Sequence, residues 1–186
     1  MPRLSALIAL LAAILLTRRI KKVVAVPTPA ALPAPAGGCE RRGLIGRGTL
    51  GEVHEGFETA LGRRVALKTL PPELLADAEA LERLLAEANA VSGLSHPNIA
   101  ALLSIERTEA QVRLAYEFVE GKTLQRLLQE RRRLDWAASL YLLKRAATAL
   151  HHAHQHDFIH RNLKPANIML DRDETVKVMD FSLVHR

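Results

Sequence analysis

Gly46, Gly48 and Gly51 stand as G-x-G-x-x-G, with Val53 two residues on. Glycines at this spacing let backbone N–H groups approach a phosphate with no side chain in the way. The same spacing also serves a plain hairpin turn, so the triad gains meaning only in company with other residues. Val65-Ala66-Leu67-Lys68 ends a β-like run in a lysine, and the next helical segment carries Glu87. Far downstream come His160-Arg161-Asn162-Leu163-Lys164-Pro165-Ala166-Asn167 and then Asp180-Phe181-Ser182. Chance assembly of these elements in one order is implausible.

In order and approximate spacing the set resembles the signature motifs of the protein kinases, over residues 43–186. Thr69-Leu70-Pro71-Pro72-Glu73-Leu74 and Leu94-Ser95-His96-Pro97-Asn98-Ile99 look most like bacterial serine/threonine kinases. Lys164, two residues past the base position, matches the serine/threonine class rather than the tyrosine class.

The resemblance implies a role for each matching position. Gly46, Gly48 and Gly51 would cover the phosphates of ATP, with Ile45 at the entry of the loop. Lys68 would hold the α- and β-phosphates, steered by an ion pair to Glu87. Val53 and Ala66 would roof the adenine and Met169 would floor it. Tyr116 would be the gatekeeper before a hinge, Glu117-Phe118-Val119, whose backbone pairs with adenine. Asn167 and Asp180 would hold magnesium, which favours oxygen ligands. Outside that context Lys68 and Glu87 are an ordinary surface lysine and a solvated glutamate, and Val53, Ala66 and Met169 are core residues.

Departures from the family pattern bear on the chemistry. Asn162 stands where an aspartate orients the acceptor hydroxyl and takes its proton. An amide can hydrogen-bond a hydroxyl but cannot accept its proton, and loss of a general base lowers rates by about 10²–10⁴-fold. Ser182 replaces the glycine of Asp-Phe-Gly, and Leu50 sits at the tip of the glycine loop. The sequence stops at Arg186, short of the activation segment and further helices that the resemblance implies.

The net charge of +6 is not spread over the chain. Residues 1–39 hold Arg3, Arg18, Arg19, Lys21 and Lys22 and no acid, while the remaining 147 residues hold 21 basic and 20 acidic side chains. A nearly neutral domain does not read as a nucleic-acid binder. One cysteine, Cys39, excludes an internal disulfide framework and reads as an idle free thiol rather than a reactive or lipidated one. His152 and His156 have the i, i+4 spacing of a helical metal pair. However, His154 and His160 match kinase histidines that make structural hydrogen bonds, so the cluster reads as structural.

The elements that must position these residues follow from periodicity. Gly43–Ile45, Glu52–Glu55, Arg64–Thr69, Ile99–Ser104 and Val112–Val119 read as strands, and Ile168–Leu170 and Val176–Met179 as two short ones. Leu74, Leu81, Leu84, Leu85 and Ala88 fall on one face of a helix over Glu73–Val91, and Leu134–His156 is a long amphipathic helix. Ahead of them, Leu4–Leu16 is an apolar run backed by Arg18, Arg19, Lys21 and Lys22. Thirteen helical residues reach about 20 Å, short of about 30 Å of hydrocarbon, so the segment reads as a thin membrane anchor or as a disordered or interfacial tail. Inserted, it would leave the following domain in the cytoplasm. Pro27, Pro29, Pro33 and Pro35 make a semi-rigid linker.

The expectation is an α+β, two-lobed, kinase-like fold with a five-stranded N-lobe, one N-lobe helix and a truncated, mainly helical C-lobe. It is divided into a tail over 1–26, a linker over 27–39 and a partial kinase domain over 40–186. Its expected function is binding of ATP and magnesium, with transfer to protein impaired. An active kinase with a compensated loop and a membrane-tethered interaction module remain alternatives, and the protein partner is open.

Overall fold

The computed structural model describes residues 38–48 and 51–181. The apolar run, the proline linker up to Ala36, Leu50 and Ser182 lie outside the described residues. Five strands build the first sheet: β1 (Cys39–Gly48), β2 (Gly51–Glu58), β3 (Arg63–Thr69), β4 (Leu102–Arg107) and β5 (Val112–Glu117). Their order is β1-β2-β3-β5-β4, antiparallel throughout. Cys39, read as the end of the linker, opens β1 instead. Its backbone N–H donates to Glu106 at 2.8 Å, and its thiol is buried. Burial first, then Glu106, pushes that thiol up to about 12, which keeps it inert at neutral pH.

The single helix expected over Glu73–Val91 is two: α1 (Pro72–Leu75) and α2 (Ala78–Ser92). Pro72 starts α1 at the position where a missing N–H costs nothing. Asp77 then takes an extended conformation and accepts from Ala80 N–H at 2.9 Å, which starts α2 afresh. α2 buries Leu81, Leu84, Leu85, Ala88 and Val91, and these join Leu102, Val112 and Leu114 of the sheet in one core. Against the other sheet face Val65, Leu67, Ala115 and Cys39 form a smaller cluster.

After β5 the chain crosses to a second sheet made of β6 (Gly121–Thr123), β7 (Ile168–Asp171) and β8 (Val176–Val178). β6 and the helix behind it, α3 (Leu124–Arg131), were not anticipated from the pattern. The signal lay in Thr123, whose hydroxyl accepts from Arg126 N–H at 3.2 Å and caps α3. The strand expected from Ile99 begins only at Leu102, because Ile99 pairs with Val178 of the second sheet instead. The long helix, α4 (Trp136–Gln155), buries Leu142, Ala146, Ala149 and Ala153 in the same core as Ile168, Val176, Val178 and Phe181. Three alanines let the helix approach the sheet closely, while Trp136, Leu140 and Leu143 stay exposed. Among the described residues no helix is long and apolar enough to cross a membrane.

Candidate active site

Register places the glycine loop over the sheet. Gly48 lies opposite Gly51, and Gly46 opposite Val53. Gly51 has φ +113°, and a Cβ there would run into the carbonyl oxygen of Thr69, so only glycine fits where β2 leaves the turn. Val53 pairs with Lys68, and Ala66 pairs with Tyr116. Directly opposed residues, and residues two apart along a strand, share a sheet face. Val53, Ala66, Lys68 and Tyr116 therefore lie on one face. Burial first, then the charge of Asp180, raises the Tyr116 phenol above its ordinary value, so it stays neutral. Ile45 is exposed, and Val119 is half-buried just past β5.

Below that face, β7 carries Met169 opposite both Thr123 and Lys177. Lys68 is buried, and its Nζ donates to Asp180 Oδ1 at 3.0 Å across 112 residues of sequence. Asp180 is therefore an ion-pair partner of Lys68 in this structure. Glu87 sits half-buried on α2. Removing an ammonium from water requires an anion close by, and Asp180 supplies it.

The loop over residues 160–167 is built around His160. Its Nε2–H donates to Met179 O at 2.9 Å, while Nδ1 accepts from Asn162 N–H at 3.3 Å. One neutral tautomer satisfies both bonds, and burial lowers the His160 pKa in the same sense. The ring also packs on Phe181 at 4.6 Å. Asn167 closes the loop: its Nδ2–H donates to Asn162 O at 2.8 Å, and its carbonyl accepts from Met179 N–H at 2.9 Å. That use of the amide nitrogen leaves Asn167 Oδ1 as the oxygen for a ligand. Asn162 is half-buried and Lys164 exposed. Arg161 and Asp180 both hold φ +56°, the left-handed region that non-glycine residues adopt at a cost of about 1–3 kcal/mol.

Of the site residues read from sequence, the structure places Val53, Ala66, Lys68 and Tyr116 on one face of the first sheet, bonds Lys68 to Asp180 and Asn167 to Asn162, and sets Met169 on β7 of the second sheet. The histidines divide differently from expectation. His160 makes the structural bond, but His154 is exposed, and it is His156 whose Nδ1–H donates to His152 O at 2.9 Å. His96, His152 and His156 stack at 5.0 and 4.5 Å, yet among the described residues no group of three His, Cys, Asp or Glu is placed to hold a metal. Sequence reasoning gave no role to Lys177. Its Nζ pairs with Glu117 Oε1 at 2.7 Å, a contact across 60 residues that no local pattern announces.

Two sheets linked by a buried Lys–Asp pair, with a glycine-rich hairpin in the first and a histidine-anchored loop leading into the second, make the plan of a protein kinase. The family model described as the protein kinase domain matches residues 39–186, so the chain belongs to that family. Among its relatives are bacterial serine/threonine kinases. The chain is 37% identical over 140 residues to the probable serine/threonine-protein kinase PknB of Lactococcus lactis, covering 75% of this chain and 22% of that protein. It is 37% identical over 145 residues to the serine/threonine-protein kinase PknA of Mycobacterium tuberculosis, covering 75% of this chain and 34% of the relative. The chain therefore spans about a fifth to a third of the length of these relatives. A crystal structure of Rad53 residues 1–466 in complex with AMP-PNP shares the fold, with a TM-score of 0.67 and 24% identity over 76% of this chain and 37% of that one. The chain carries a kinase-like ATP-binding domain of bacterial serine/threonine type, with the two-lobed α+β fold of the family.

Proposed function

We propose that this domain binds ATP with magnesium in the cleft between the sheets, and that Asn162 leaves transfer to a protein hydroxyl impaired. One observation carries the second half. The loop holding Asn162 keeps its backbone bonds to His160 and Asn167, yet its side chain presents an amide. The scaffold of the site is formed and its proton acceptor is missing. An amide at this point orients a hydroxyl by hydrogen bonding while the proton stays on the hydroxyl, so the acceptor attacks as a weaker nucleophile.

Binding rests on residues with distinct tasks. Gly46, Gly48 and Gly51 offer backbone N–H groups to phosphate oxygens, and the buried Lys68 ammonium offers them charge. Val53, Ala66 and Met169 enclose the apolar faces of adenine, and the backbone of Glu117 and Val119 supplies hydrogen bonds to its edge. The donor set suits magnesium: among the described residues nothing engages the Asn167 amide oxygen, and only one oxygen of Asp180 is engaged by Lys68. When bound, the ion neutralises charge on the phosphate oxygens. That the related fold of Rad53 holds AMP-PNP supports the same class of ligand here.

Titration of the chain with a fluorescent ATP analogue tests binding. Lys68→Ala should weaken it at least tenfold, and equal affinity of the two proteins would remove the nucleotide assignment. Radiolabelled phosphate incorporation into a generic protein substrate tests the second half. Labelling at the rate of an ordinary kinase would favour a loop in which positioning compensates for Asn162, since phosphoryl transfer depends largely on positioning and electrostatics.

We also propose that Leu4–Leu16 tethers the domain to a membrane with the domain on the cytoplasmic side, on the strength of the apolar run and the basic cluster behind it. The full chain should then stay with membranes through a high-salt wash. Release by salt would instead indicate electrostatic attachment through Arg18, Arg19, Lys21 and Lys22.

A further inference from the structure

The two sheets share no strand, so something besides the covalent hinge must set the height of the slot between them. One junction does this from three directions. The carboxylate of Glu117, the last residue of β5, takes Lys177 Nζ on both oxygens, at 2.7 and 2.9 Å. Its Oε2 also accepts from Ala101 N–H at 3.3 Å, while the Glu117 N–H donates to Ala101 O at 2.8 Å. The same connecting segment grips β8 directly. Ala100 N–H donates to Val178 O at 2.9 Å, Val178 N–H to Asn98 O at 2.8 Å, and Asn98 Nδ2–H to Val176 O at 2.8 Å. The Lys177 side chain is 14% exposed and that of Glu117 35%, so the ammonium end of the pair is largely sheltered from solvent while the carboxylate is about one-third exposed.

Position makes this junction bear on the ligand. Glu117 follows Tyr116, which opposes the roof residue Ala66. Lys177 opposes the floor residue Met169 and lies three residues before Asp180. The ion pair thus ties the backbone that would meet the adenine edge to the strand that carries the floor. A second acid repeats the tie at the outer end of the hinge. Glu120 Oε1 takes Arg64 of β3 at 3.1 Å and Arg172 of the β7–β8 turn at 2.8 Å. Glu120 is exposed and its pairs are worth little, so the sheltered Glu117–Lys177 pair dominates.

We propose that Lys177 is a positioning residue for the adenine end of the nucleotide, acting through the Glu117 carboxylate to fix the spacing between roof and floor. The proposal rests on the assignment of the cleft to a nucleotide and adds a residue to it. Among the described residues the bonds of Lys177 go to Glu117 and to β7, not to Lys68 or the glycines, so the two ends of the ligand should respond differently to its loss. Lys177→Met keeps the stem and deletes the charge, while Lys177→Arg keeps a charged donor within reach of the carboxylate.

The test measures affinity of the full chain for a fluorescent adenosine analogue and, separately, for magnesium tripolyphosphate. Thermal unfolding is followed alongside to show that each variant is folded. Lys177→Met should weaken adenosine binding by roughly tenfold, the worth of one charge-assisted hydrogen bond, with tripolyphosphate binding within twofold of the unaltered chain. Lys177→Arg should recover most of the adenosine affinity. Unchanged adenosine binding in Lys177→Met overturns the positioning role alone. Equal loss for both probes, or no recovery with arginine, also overturns it, because either marks a merely structural lysine. Failure of the unaltered chain to bind any adenosine analogue overturns the nucleotide assignment itself, and this proposal with it.

Discussion

Cutting the Lys68–Asp180 pair from its two ends should have unequal consequences. The two side chains differ in access to water: that of Lys68 is 5% exposed and that of Asp180 33%. Lys68→Met replaces the ammonium with an apolar chain of similar length and leaves Asp180 as the unpaired charge. A carboxylate one-third exposed regains water, so the loss should be about 1 kcal/mol, near the upper end for an accessible pair. Asp180→Asn leaves the opposite situation. Asparagine tolerates the φ of +56° at this position, so backbone strain changes little. The buried ammonium, however, loses its counter-charge and keeps only an amide oxygen. Uncovering a buried charge costs about 3–5 kcal/mol, and the surviving hydrogen bond places this case at about 3. Asp180→Asn should therefore destabilise the domain more than Lys68→Met by about 2 kcal/mol. Urea unfolding of the full chain at pH 7, followed by tryptophan fluorescence and by circular dichroism, reads the difference as a shift in midpoint at constant slope. Equal losses, or a larger loss from Lys68→Met, would refute the reasoning. That result would mean that Lys68 finds another anion, with Glu87 the nearest in the plan of the family, once Asp180 is neutral.

Two further outcomes can be checked. Asn162→Asp restores a proton acceptor in a loop whose backbone is already formed, so slow ATP hydrolysis should rise, by no more than about 10²-fold, the low end for a general base. A malachite-green phosphate assay on both proteins reads this, and an unchanged rate would show that proton acceptance is not what limits turnover. Stability should also depend on pH through His160, whose folded pKa burial lowers below the ordinary value of 6.5. Because the unfolded chain then binds the proton more readily, stability is fully present above pH 6.5 and declines as pH falls through the folded value. Unfolding midpoints at about pH 7.5, 6.5 and 5.5 should decline in that order, and more shallowly in His160→Gln; a flat profile would contradict the neutral, doubly bonded ring.

How legible the molecule is from its residues depends on how local each feature is. The glycine triad, the Val-Ala-Leu-Lys strand and the run from His160 to Asn167 are short patterns whose backbone demands are met within a few residues. The five-stranded sheet and the long helix follow from periodicities of about two and 3.6, which any single strand or helix displays by itself. The break between α1 and α2 was legible too, in Pro72 and the capping Asp77, but the unbroken leucine spacing outweighed it. α3 escaped because its eight residues bury only Leu127, which leaves too little of a stripe to read.

What the sequence determined alone is the inventory: a glycine-rich loop, a lysine, an amide at position 162, and the side-chain oxygens of Asn167 and Asp180. Those are fixed by residue type and order, because chemistry depends on which functional groups are present. Partnership was decided only by the fold. Lys68 reaching Asp180, Glu117 held by Lys177, and Ile99 leaving its expected strand for Val178 all join residues 60 to 112 positions apart, or on different sheets. A buried charge takes whichever opposite charge packing brings nearest, and packing is set by the shared core of both sheets and α4, which no single segment of the chain contains.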